Sequence, residues 1–120
     1  MGGAMTKTLA RVSRLAVVFS TFALPAGAAP PDETIPVTAS REGFRPSTLK
    51  ARPGDTVRLQ LQSADVEHCF ALDALRVEKR IVPGRTISVD LTPDASGRFS
   101  FYCCLEGPDS PERGTLIVGE

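Results

Sequence analysis

Three short stretches of this chain alternate apolar and polar residues with a period of two, and that spacing leaves little choice of architecture. Val57, Leu59 and Leu61 are separated by Arg58 and Gln60, and Ile87, Val89 and Leu91 by Ser88 and Asp90. Phe99, Phe101 and Cys103 share one face of a third segment. Successive side chains of a strand point to opposite faces, so each stretch reads as a strand with one buried side. Ile35 to Ala39, Thr48 to Ala51, Cys69 to Leu75, Val77 to Val82 and Thr115 to Val118 supply further strand candidates. Pro53-Gly54-Asp55, Pro83-Gly84 and the "PDASG" segment carry turn chemistry, proline fixing φ and glycine permitting positive φ. Such signals recur about every 8–12 residues without a sustained helical period, which predicts an all-β sandwich.

Residues 1–28 have a different character. Lys7, Arg11 and Arg14 precede a largely apolar run from Leu15 to Leu24, and Ala26 and Ala28 offer small residues for cleavage. This is the layout of a secretory signal. The run is roughly half the ~20 residues that a membrane-spanning helix needs. Cleavage after Ala28 leaves a Pro-rich lead-in at 29–33 and one domain at 34–120, periplasmic or secreted, with no membrane span. Three of the 14 basic residues lie in the signal and all 14 acidic residues follow it, leaving eleven against fourteen, a net charge of −3. A mildly acidic domain without a basic cluster speaks against nucleic acid or an anionic membrane as partner.

Cysteine usage carries the first chemical signal. Cys69, Cys103 and Cys104 make an odd count. In an oxidising compartment at least one thiol is then left unpaired or bound to something else.

Four stretches, in order, resemble the cupredoxin family of copper-binding Greek-key β-sandwiches: "GFRPSTLKARPGDTVRLQLQS", "DVEHCFALDAL", "IVPGRTISVDLTPDASGRFSFYC" and "GTLIV". The resemblance covers about Thr34 to Gly119. It implies that His68, before Phe70 in "EHCF", stands at the first-histidine position and that Cys103, ending "FYC", supplies the thiolate. The chemistry is apt, since such copper sites combine a soft thiolate with imidazole nitrogen. However, His68 is the only histidine, so an ordinary two-histidine blue site is excluded by counting.

Gly114 lies eleven positions beyond Cys103, a loop length that looks like that of nitrosocyanin, the red copper cupredoxin with two histidines, a cysteine and a glutamate. Aligned on it, Glu106 and Pro111 fall at the histidine positions and His68 at the glutamate position. The resemblance thus implies one copper ion held by His68, Cys103 and Glu106. Cys104, Asp109, Glu112 or water are the candidates for the fourth position, Cys104 foremost. Two thiols with few nitrogens lean toward Cu(I). The implied role is copper handling or single-electron transfer with a redox or copper-delivery protein. Arg76, Lys79 and Arg80 form either a solvated face or a patch for an acidic partner. No acid–base pair or second metal position suggests an enzyme. The competing reading is a metal-free cupredoxin-fold module stapled by a Cys69–Cys104 disulfide.

Overall fold

The computed structural model describes residues 29–119, so the signal-peptide reading of residues 1–28 lies outside the described residues. Nine strands form two sheets: β1 (Glu33–Ser40), β2 (Gly43–Arg45), β3 (Thr48–Ala51), β4 (Val57–Ser63), β5 (His68–Leu72), β6 (Val77–Ile81), β7 (Ile87–Leu91), β8 (Gly97–Tyr102) and β9 (Arg113–Val118). One sheet has the order β2-β1-β4-β7 and the other β3-β9-β8-β5-β6. The pairs β1–β4 and β3–β9 are parallel and the remaining pairs antiparallel. The result is a Greek-key β-sandwich.

The alternating segments behave as their spacing requires. In β4, Val57, Leu59 and Leu61 are buried, and across the pair Val89 and Leu91 of β7 join them. Polar Arg58 and Asp90 meet on the outer face in a two-pronged ion pair at 2.9 and 3.2 Å. Two local features depart from the expectation. A short strand, β2, pairs with β1 through Phe44, which a single apolar residue between Gly43 and Arg45 could not announce. The segment read as one strand to Leu75 ends at Leu72 and tightens into a 3₁₀ turn, Asp73–Leu75, closed by Arg76 in the left-handed region.

Three aromatic rings lie in the core near the ends of β5 and β8. Phe44, Phe70 and Phe101 form a triangle of rings with centroids 5.0–5.8 Å apart, mostly edge-on. Burying each such side chain contributes about 1.5–3 kcal/mol. Phe70 lies two residues after His68 and Phe101 two before Cys103, so the period of two puts all four side chains on inner faces. The aromatic triangle is the floor on which the polar residues of the pole stand.

Gly114, the second residue of β9, lies against this floor. A Cβ there would collide with the Phe101 ring and the Ser47 carbonyl oxygen. Overpacking of this kind costs about 1–3 kcal/mol. Gly114→Ala is expected to lower the unfolding free energy by about that amount in denaturant titration. Gly119→Ala, with open space around its Cβ, is expected to stay within about 0.5 kcal/mol of the parent. Equal stability of the two variants would contradict this packing.

Candidate metal centre

Two loops and two strand ends meet at the pole. His68 starts β5 and is 2% exposed, Cys103 follows β8 at 1%, and Glu112 precedes β9 at 4%. One donor atom each from His68, Cys103 and Glu112 lies within 4.8 Å of the other two. The set offers a thiol sulfur, an imidazole nitrogen and a carboxylate oxygen, all removed from solvent.

The histidine is held at both nitrogens. Nδ1 lies 2.8 Å from Glu112 Oε2 and Nε2 lies 2.6 Å from Asp65 Oδ1. A neutral imidazole donates from one nitrogen only. With both nitrogens facing carboxylates, either the ring is imidazolium or a carboxyl carries the shared proton. Asp65 is itself braced, accepting the Arg41 N–H at 2.9 Å and the Val66 N–H at 2.6 Å. The His68 bond and these two N–H groups hold the Asp65 carboxyl well below the usual carboxylate range.

Cys103 is the one free cysteine among the described residues. Burial pushes its thiol pKa up, opposed by the backbone N–H groups of Leu105 and Cys69 that point at the sulfur, and reinforced by the nearby Glu112. The apolar surroundings therefore favour the protonated thiol. A cation is the group that would tip this balance, since a metal-bound thiol gives up its proton.

The connection from Cys103 to Glu112 is stitched to itself. The Glu106 and Gly107 N–H groups donate to the Cys103 carbonyl at 3.1 Å, and the Cys103 N–H donates to the Glu112 carbonyl at 2.9 Å. Buried Ser110 donates from its hydroxyl to Glu106 at 2.9 Å and accepts the Glu112 N–H at 3.0 Å.

Of the residues singled out in the sequence, the structure brings His68 and Cys103 together. Glu106 stays outside, exposed and bonded to Ser110, so the loop turns it away from the pole and presents Glu112 instead. Cys104 leaves the cluster as well: it lies in the turn after β8 and is bridged to Cys69. Exposed Asp109 is not among the grouped donors. The lean toward Cu(I) rested on a second thiol and loses that support. Asp65 was not foreseen; its one trace is its place three residues before His68, a spacing common to many loop acids. Closing the Cys69–Cys104 loop, with a separation of 35 residues, is worth about 3–4 kcal/mol in the chain-entropy account.

A family model described as a cupredoxin-like domain matches residues 13–118, and the chain belongs to that family. Among solved structures it is similar to the periplasmic domain of cytochrome oxidase subunit II (CoxB) of Bradyrhizobium japonicum. The identity is 22% over 77% of this chain and 87% of that one, with a TM-score of 0.65. The metal-binding domain of the Cu(I)-exporting P-type ATPase CopA of Streptococcus pneumoniae, solved with Cu(I), is 18% identical over 72% and 85%, TM-score 0.63. Auracyanin B is 21% identical over 77% and 92%, TM-score 0.59. At these identities the likeness is one of fold. No curated protein matches the chain in sequence.

The Asp65–His68 contact has a pH signature. A carboxyl whose folded pKa is depressed stabilises the fold in full above its unfolded value, here 3.8. That stabilisation is lost as the pH falls below 3.8 toward the lowered folded value. Asp65→Asn is expected to be less stable than the parent near neutral pH and to lose less stability between about pH 5 and pH 2. Denaturant titrations across that range check it; parallel curves would show that the contact is not made.

Proposed function

We propose that this chain is a periplasmic or secreted copper-binding cupredoxin that holds one copper ion between Cys103, His68 and Glu112. The grouping of these three buried donors at one pole is the observation that carries the reading. The donor types fit: copper sites of this fold class combine a cysteine thiolate with imidazole nitrogen, and borderline ions accept carboxylate oxygen as well. Charge supports the same ion. A thiolate and a carboxylate balance a divalent cation in a buried place where net charge is expensive. Copper held there supplies one-electron redox chemistry through a thiolate bond.

The protein's own contributions follow from the geometry. Glu112 shares the proton at His68 Nδ1, so freeing that nitrogen for a cation means removing that proton. Asp65 fixes the ring from its other nitrogen, as outer carboxylates do for metal-bound histidines. The Leu105 and Cys69 N–H groups stabilise negative charge on the Cys103 sulfur. The hydrogen bonds that close the loop from Cys103 to Glu112 would hold these donors in a fixed arrangement around a bound ion, which suits single-electron transfer. Exposed Val66 and Leu105 lie on the two loops that bear the site and offer a partner protein an apolar rim. Arg80 is engaged by Glu67 at 3.0 Å, which favours the solvated reading of that basic stretch.

The second reading, a metal-free module, draws on two observations. The Cys69–Cys104 bridge is present, and every fully buried side-chain nitrogen and oxygen among the described residues has a partner without any ion.

Titration of the disulfide-intact domain with Cu(II) separates the two. One ion per chain with a thiolate-to-copper absorption band is expected, lost in Cys103→Ala and His68→Ala. Asp65→Asn is expected to weaken binding about 10–100-fold, Glu112→Ala more strongly, and Glu106→Gln little. No binding at equimolar copper, or an unchanged band in Cys103→Ala, would leave the metal-free module standing.

A further inference from the structure

The same strand ends carry a second set of donors on the opposite side of the sheet. Cys69 follows His68 in β5, so alternation sets its side chain on the face opposite His68, where it is buried, and Cys104, in the turn after Cys103, meets it there. Their Cα atoms are 5.0 Å apart and their sulfurs are bonded. On the neighbouring edge strand β6, Arg80 lies opposite Cys69 and Glu78 opposite Ala71, which puts Glu78 two positions along on the same face. One donor atom each from Cys69, Cys104 and Glu78 lies within 4.8 Å of the others. Glu78 is exposed and enters no salt bridge among the described residues, whereas Arg80 beside it is occupied by Glu67. Cys104 is partly exposed, so the group has a path to solvent.

The geometry points to a second, redox-gated metal site, in which reduction of the Cys69–Cys104 disulfide frees two thiols that join the Glu78 carboxylate around a thiophilic cation. Bridged sulfurs are silent here because the thiolate is the ligand form of cysteine. A dithiol reductant supplies the step. The Cys69–Cys104 S–S bond breaks, an S–S bond forms in the reductant, and two electrons and two protons pass to the cysteines. Cation binding then displaces the two thiol protons. Two thiolates select softer ions than the thiolate–imidazole–carboxylate set on the inner face. One strand pair would thus serve two sites of different preference, back to back. This assignment uses none of the inner donors and stands or falls apart from the proposed copper centre.

The test is made in the Cys103→Ser chain, where the inner thiol is absent. Cd(II), thiophilic and redox-inert, is titrated before and after reduction with a phosphine, following ultraviolet thiolate-to-cadmium absorption and stoichiometry. One Cd(II) per chain is expected after reduction and none before. Cys104→Ser in this background is expected to lose the band, and Glu78→Gln to weaken binding about tenfold or more, the scale seen when groups supporting a metal site are removed. No band in a reduced chain that keeps its sheet circular dichroism overturns the proposal, as does equal affinity in Glu78→Gln. If reduction costs the sheet signal, Cd(II) is expected to restore it through linkage of binding to folding; failure to restore it also overturns the proposal.

Discussion

A single imidazole shut away from solvent is the point around which the pole is organised. His68 reaches a carboxylate from the loop before it and another from the loop before the last strand, 44 residues away. A buried polar ring with two nitrogens has to satisfy both, and each partner in turn fixes a loop. Asp65 draws in the backbone of Arg41 and Val66, and Glu112 ties the loop after Cys103 back beside β8. Removing either carboxylate would leave a nitrogen of the buried ring without its partner, an unfavourable state for a polar atom shut away from water. The arrangement is therefore structural and chemical at once: the contacts that hold the loops also bring a thiol, a nitrogen and an oxygen within reach of one another.

The disulfide completes the frame from the other side. Adjacent residues in "HC" and "CC" serve different roles. His68 and Cys103 join the donor group at the pole, while buried Cys69 and partly buried Cys104 link the same two segments covalently. Cys69 and Cys104 thus sit next in sequence to the two candidate donors His68 and Cys103, and the covalent staple joins the segments that carry them. The aromatic triangle of Phe44, Phe70 and Phe101 supplies the rigid floor, and Gly114 lets β9 pass close enough to cover it.

Much of the fold was legible because it rests on a local rule. The period of two in β4, β7 and β8 shows directly which side chains are buried, and the glycine- and proline-marked turns separate the strands. The same rule turned His68 and Cys103 to the inner face. What escaped it was non-local or too short to have a period. β2 is three residues long and is defined by pairing to β1. The choice of Glu112 over Glu106 depends on how the loop after Cys103 folds back, through Ser110 and the Cys103 N–H, and spacing alone does not encode that path. Asp65 is an ordinary loop acid until the chain places the His68 ring against it. The family resemblance singled out His68 and Cys103, which the structure brings together, and the grouping of Glu112 with them is visible only in the folded chain.

The proposed copper centre joins one sulfur, one imidazole and one carboxylate around a single ion. X-ray absorption at the copper edge of the disulfide-intact, copper-loaded domain addresses it most directly, because it counts the sulfur neighbours of the ion. One sulfur scatterer with nitrogen and oxygen neighbours is expected, the sulfur signal vanishing in Cys103→Ala. A spectrum with no sulfur neighbour, or with two, would contradict it.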